Sequence, residues 1–256
     1  MLLKGKKAVI FNIANKRSIA WAIAQSFSAN GADLILGYQN ERSLAKVEEL
    51  VDDLPNKPLA LVQCDVSSDE EVAQAAQKVQ EVAGEIDILV HCLAFAPREA
   101  LQKPFSETRR EEFNVALDIS TYSLITLSNA FKPLIRPKGS IIALSYYGSE
   151  KVVPNYNVMG VAKAALEASA RYLAFDLGSQ DIRVNVISAG PINTLAARGI
   201  SGFVEMLDVH ASRSPFKRNI EPSEVGKTAT FLASDLSTGI TGEIIYVDAG
   251  YNIMGM

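Results

Sequence analysis

Residues 145 to 163 read SYYGSEKVVPNYNVMGVAK, which places Tyr146, Tyr147 and Tyr156 upstream of Lys163. A phenol can donate a hydrogen bond to an oxygen that gains negative charge, and a nearby ammonium can bind a ribose and favour that charge. Lys163 lies in GVAKAALEASARYLAFDLG, a strongly helical run, and seven residues at about 100° each return to nearly the same face. Tyr156 then either shares that face two turns away, or sits at or before the helix start beside Pro154 and points into the same cleft. A packed aromatic at 156 and a solvated lysine at 163 satisfy the same spacing, so the pair needs a frame around it.

The frame comes from seven short apolar runs: KAVIFN (7–12), DLILGY (33–38), PLALVQC (58–64), IDILVHC (86–92), GSIIALS (139–145), IRVNVIS (182–188) and EIIYVD (243–248). They are apolar throughout rather than alternating, as strands are when both faces of a parallel sheet are covered. Helical patterns separate them. SIAWAIAQSFSANG sets Ile19, Ala22, Ile23, Ser26 and Phe27 on one stripe, with Ser18 as N-cap and Gly31 past the end. The segments 69–84 and 222–234 have the same character, with acidic residues near their starts. Strand and helix alternate along the whole chain, with no linker, repeat or low-complexity tract. This predicts an α/β fold: residues 1–256 as a single Rossmann-like domain, a doubly wound parallel sheet of about seven strands flanked by helices. Ligands of such sheets sit beyond the carboxyl ends of the strands.

The loops at those ends carry modest but concordant signals. After the first strand, FNIANKRSIAWAI lacks the glycines that let a backbone cradle a pyrophosphate. Asn12 tolerates positive φ, Ala14 is small and Ser18 offers a hydroxyl, so an anion cradle and an ordinary loop both remain open. After the second strand, Gln39 stands where an acidic residue would usually take ribose hydroxyls, and Glu41 offsets Arg42, the nearest cation. That pattern favours NADH over NADPH. Asp65 can accept from an adenine amino group or simply cap a helix. HCLAFAP, after the fourth strand, is small enough for a ribose or flat ring to lie against the backbone.

Composition narrows the classes. A formal net charge of −4 over 256 residues disfavours nucleic acid, whose grip depends on clustered Lys and Arg. No stretch of about 18 apolar residues predicts a membrane span, and MLLKGKKAVIFN lacks the apolar core of a secretory signal. A cytoplasmic location and reduced Cys64 and Cys92 are expected. His91 and His210 add no ligand spacing to the two cysteines, so no metal is expected.

With these residues in place the chain resembles the short-chain dehydrogenases/reductases, and within them the divergent branch of bacterial NADH-dependent enoyl-acyl-carrier-protein reductases. Six residues separate Tyr156 from Lys163, as in that branch, where the wider superfamily has three. SIAWAIAQ, CDVSS, HCLAFAP, YNVMGVAK, IRVNVISAGPINTLAA and SDLSTGITGEIIYVDAGY follow in family order over essentially the whole chain. The resemblance implies that Tyr156 hydrogen-bonds the substrate thioester carbonyl, Lys163 holds the nicotinamide ribose and Tyr146 borders the acyl pocket. It assigns Asn12, Ser18, Ile19, Gln39, Asp65, Val66 and Leu93 to the dinucleotide, with Ile192, Asn193, Thr194, Leu195 and Ala196 running past its carboxamide and phosphates. It places Ala96, Phe203 and Met206 at the substrate, the last two in a covering loop, 195–210, that also fits a plain amphipathic surface helix. Asn12 departs from the family's usual glycine, which implies weaker or altered cofactor binding. The partners implied are an acyl-carrier-protein-bound enoyl substrate and further copies in a homotetramer. Arg198, Arg213, Lys217 and Arg218 are cations that an acidic carrier would meet, or a generic solvated basic surface. Two other readings stand beside the reductase: a carbonyl or hydroxy-group oxidoreductase, and a non-catalytic dinucleotide-binding protein.

Overall fold

The structure, a computed structural model, describes residues 1–194 and 202–255. The seven apolar runs form β1 (Lys7–Ile10), β2 (Asp33–Tyr38), β3 (Ala60–Gln63), β4 (Ile86–His91), β5 (Ile135–Ser145), β6 (Arg183–Ala189) and β7 (Ile244–Val247). All neighbouring pairs are parallel, in the order β3-β2-β1-β4-β5-β6-β7. The order reverses between β1 and β4, which opens a crevice at their carboxyl ends.

Helices α1 (Ile19–Ala29), α2 (Glu41–Val51), α3 (Asp69–Ala83), α4 (Arg98–Gln102), α5 (Arg110–Leu117), α6 (Ser123–Phe131), α7 (Val158–Gly178), α8 (Phe203–Arg213) and α9 (Pro222–Ala233) connect or flank the strands. Their ends are marked by the chemistry the sequence displays. The Ser18 hydroxyl accepts the Trp21 amide at the start of α1, and Ser68 accepts Glu71 at the start of α3. Gly84, at φ +70°, ends α3.

Two hydrophobic layers explain why the strands are continuously apolar. Ala8 and Ile10, Ile88 and Val90, Ile142 and Leu144, and Ile187 and Ala189 pack with α1, α2 and α9. Their immediate neighbours Val9, Leu89, Ile141, Ala143, Val184 and Val186 pack on the other face with α3, α6 and α7. Side chains alternate across a strand, so a strand covered on both sides must be apolar at every position. The largest wholly buried residues include Trp21, Phe11, Phe27 and Phe131. Burying a side chain of that kind contributes about 1.5–3 kcal/mol.

One boundary differs from the pattern in the sequence. The strand expected at 139–145 begins at Ile135, across Pro137, Lys138 and Gly139. Ile135 pairs with Ile86, but Ser140 pairs with Ile88, so a register shift absorbs the extra residues, with Lys138 at φ +68°. Turn-forming residues here make a bulge within the strand and not its beginning.

Candidate active site

Tyr156 precedes the first residue of α7, in the turn where the sequence leaves its placement open. Asn155 and Asn157 flank it at φ +65° and +42°, a region that asparagine enters more readily than most residues. The Asn157 amide donates to the carbonyls of Ala100 and Lys103, at 3.2 and 2.9 Å, and so ties this turn to the segment after β4. Gly148 allows the tyrosine to settle: a Cβ there would lie 2.5 Å from the Tyr156 ring. The Tyr146 ring meets the Tyr156 ring edge to face, with centroids 5.0 Å apart, an arrangement aromatic pairs prefer.

The two phenols have different partners. Tyr146 donates to the Met206 sulfur on α8 at 3.3 Å, whereas the Tyr156 hydroxyl has no hydrogen-bond partner among the described residues. Burial raises the pKa of both well above that of a free phenol, so both stay protonated donors at neutral pH. Tyr147 turns elsewhere, donating to the Asn252 carbonyl at 3.3 Å and packing on Tyr246 and Tyr251. Of the three tyrosines in the stretch, 146 and 156 pack together and 147 does not join them.

Lys163 projects from inside α7 and is only 4% exposed. Its Nζ donates to the Leu144 carbonyl at 2.7 Å and the Leu93 carbonyl at 3.4 Å, bridging the ends of β5 and β4. Two of its three N–H groups are thus aimed at carbonyls, leaving a third for a ligand. Burial pulls its pKa down to about 8, with Cys92 and Glu167 opposing the fall. His91, wholly buried beside it, is held neutral: burial and then Lys163 lower its pKa to about 3. Its Nε2 pairs with Ser123 at 2.8 Å.

Across the crevice, Asn12 takes φ +69°, the left-handed backbone a glycine would supply. Its side-chain amide donates to the Cys92 carbonyl at 2.8 Å, tying the exit of β1 to that of β4. The N-terminal turn of α1, capped by Ser18, holds no acidic side chain. It can therefore face an anion without a carboxylate to repel it. Gln39 is exposed and donates to Asp65 at 3.2 Å. Burial pushes the Asp65 carboxyl up, but hydrogen bonds from Ser67 and Gln39 outweigh it and keep the group below the usual range.

Other residues singled out in the sequence fall into place unevenly. Ile19 is half-buried against the core beneath α1, and Leu93 presents its carbonyl to Lys163. Val66 and Ile192 turn their side chains into the two core layers, which leaves their backbones for a ligand. Asn193 is exposed and Thr194 half-buried at the end of the segment after β6. Ala96, Tyr146 and Tyr156 pack in one small cluster with Leu101 and Met159, apart from the main layers. Phe203 is buried at the start of α8, and Met206 contacts Tyr146. Leu195, Ala196 and Arg198 lie outside the described residues. Two of the surface cations are already engaged: Arg218 pairs with Glu224 at 2.8 Å, and Lys217 donates to the Ser212 carbonyl.

The sequence reading passed over Gly148 and Glu167. Gly148 carried no signal, because the ring it accommodates is brought to it by folding. Glu167 carried one, as a carboxylate within an otherwise apolar helical stripe four residues after Lys163.

A doubly wound parallel sheet with a buried lysine and paired tyrosines at its carboxyl edge defines a short-chain dehydrogenase/reductase. The profile of the family described as enoyl-(acyl carrier protein) reductase matches residues 13–252. The chain belongs to that family. It is 54% identical to the enoyl-[acyl-carrier-protein] reductase [NADH] FabI of Nostoc sp., covering 99% of both chains. It is 50% identical to the corresponding protein designated [NADPH] from Staphylococcus aureus strain MRSA252, covering 98% of each. Among solved structures, that of enoyl-[acyl-carrier-protein] reductase (NADH) from Aquifex aeolicus VF5 superposes with a TM-score of 0.96 at 46% identity, with complete coverage of both. Among the described residues, no helix is long and apolar enough to cross a membrane.

Proposed function

We propose that this protein is an NADH-dependent enoyl-[acyl-carrier-protein] reductase, saturating the trans-2 double bond of enoyl thioesters in the last step of fatty-acid elongation. The observation that carries this reading is the Tyr156 hydroxyl, a protonated donor without a partner among the described residues, on a ring packed against Tyr146 and seven residues before the buried Lys163. NADH supplies the hydride to the substrate β-carbon. The resulting negative charge lies on the thioester oxygen, where a preorganised phenol in a water-poor pocket stabilises it. Tyr156 fills that role, and a proton taken up from solvent at the α-carbon would complete the saturated product. Tyr146, Ala96, Phe203 and Met206 border the acyl chain. Lys163 binds the cofactor ribose and supplies positive potential rather than a proton to carbon.

The cofactor side fits a dinucleotide. Asn12 keeps the left-handed turn, the N-terminus of α1 is free of acidic side chains, and the uncharged Gln39 with Asp65 suits ribose hydroxyls better than a 2′-phosphate. Ser18, Ile19, Val66, Leu93 and the 192–196 segment complete the assignment. Because Asn12 bridges β1 and β4, Asn12→Gly is expected to loosen the cradle. One net hydrogen bond of about 1 kcal/mol corresponds to a roughly fivefold rise in the NADH dissociation constant. Fluorescence titration with NADH measures it, and an unchanged constant would remove Asn12 from the cofactor site.

A carbonyl reductase needs a serine donor in the cleft. Ser145, which directly precedes Tyr146, instead donates into the layer beneath α7, to Glu167 at 2.5 Å, which favours the enoyl reductase. Loss of NADH absorbance with a crotonyl thioester, run beside NADPH, tests the proposal. NADH consumption is expected. Turnover of ketones alone would favour the carbonyl reductase, and NADH binding without hydride transfer the non-catalytic reading. A homotetramer in the cytoplasm, meeting an acyl-carrier-protein-bound substrate, accompanies this reading. Tyr172 and Phe175 on α7, 76% and 85% exposed, are the kind of surface a further copy would cover.

A further inference from the structure

Glu167 lies on α7 one turn beyond Lys163, and residues so spaced have Cβ atoms about 5–6 Å apart. Only 5% of it is exposed. Buried carboxylates need partners, and this one has Ser145 Oγ at 2.5 Å. Alternation along β5 sets that geometry: Ile141 and Ala143 face the α7 layer, and Ser145 continues the same parity. Ser188, in register with Ser145 on β6, has a buried hydroxyl without a partner among the described residues. A polar pocket therefore sits inside an otherwise apolar layer, one turn along α7 from Lys163. Its carboxylate is near enough to act on the ammonium, without a direct ion pair among the described residues.

The other groups facing Lys163 bring no negative charge. From β4, His91 is neutral, and the Cys92 thiol is pushed by burial up to about 12 despite the pull of Lys163. From the turn before α7 and the end of β5, Tyr156 and Tyr146 are protonated phenols. From the π-helical segment between α5 and α6, the Thr121 hydroxyl bonds the Ala162 carbonyl. Glu150 acts farther out, accepting from Tyr246 at the surface. Glu167 also raises the pKa of Tyr156 and Tyr246, as a negative charge between the two would.

We infer that Glu167, held by Ser145, is a positioning residue: its buried carboxylate is the counter-charge that keeps the Lys163 ammonium charged and aimed between β4 and β5. The inference rests on the assignment of Lys163 to the cofactor ribose. A charged lysine away from water is costly unless an opposite charge is near. Glu167 relieves that cost without a direct ion pair, leaving the third N–H of the ammonium to a ligand.

The test is an NMR titration of cofactor-free protein carrying 13C-labelled lysine, with Lys163→Met identifying the Lys163 signal. In Glu167→Gln, which keeps the shape and can still accept from Ser145, the Lys163 midpoint is expected to fall by about one pH unit or more. The pH at which NADH binding is lost should fall with it, while affinity below the new midpoint stays near wild type. Glu167→Asp should retain most of the wild-type midpoint. Ser145→Ala should lower it by a smaller amount, and it decides the question should Glu167→Gln fail to fold. An unshifted midpoint in a folded Glu167→Gln protein, or in Ser145→Ala where that variant must decide, overturns the inference. If wild-type protein consumes no NADH with any enoyl thioester, the reductase proposal falls, and the cofactor-free titration still decides the role of Glu167.

Discussion

Tyr156→Phe is expected to lower kcat with crotonyl thioester by about 10²- to 10³-fold, the loss typical of removing one donor to a developing oxyanion. NADH affinity should change little, because the ring stays over Gly148 and against Tyr146 and only the hydroxyl is lost. KM should also change little, since the hydrogen bond gains most of its strength as charge develops on the oxygen. Thermal stability should change little, because the hydroxyl has no protein partner among the described residues and the ring keeps its packing. Steady-state kinetics beside a melting curve separates these terms. A variant retaining most of its kcat would move the donor role to Tyr146, whose hydroxyl already has the Met206 sulfur.

Lys163→Met is expected to be as damaging by another route. It removes the charge and both carbonyl contacts, so NADH binding should weaken by about tenfold or more and kcat/KM should fall further. The fold should tolerate the change: Met has similar length, and the substitution removes a buried charge at the cost of leaving the Leu144 carbonyl short of a donor. In wild type the lysine also sets a pH limit. Its pKa is depressed to about 8, so it is charged below that pH and neutral above it. Cofactor binding and kcat/KM should therefore hold near neutrality and decline as pH rises through about 8, with no such limb in the Met variant. A wild-type profile flat to pH 10 would show that the charge on Lys163 is not required.

Much of this was legible in the residues because the signals are local. Continuous apolar runs with helical stripes between them reflect a sheet covered on both faces, and β1, β2, β4 and β6 begin within one residue of those runs. Ser18 caps α1 because a hydroxyl one position before an apolar stripe meets unpaired amides there. Asn12 was visible as a residue tolerant of positive φ, and it adopts one.

What the sequence by itself determined was the fold class, which follows from periodicity; Tyr156 and Lys163 it offered as candidates, singled out by the family resemblance and not by their spacing. Tertiary structure alone decided which tyrosines converge, because edge-to-face packing of Tyr146 on Tyr156 depends on Gly148, and Tyr147 is drawn away to the C-terminal segment. It also decided that Asn12 ties β1 to the Cys92 carbonyl 80 residues along the chain, and that Ser145 turns toward Glu167 and not into the cleft. These contacts join segments that only the strand order brings together, and their direction is set by side-chain parity and backbone angles that residue types alone do not state.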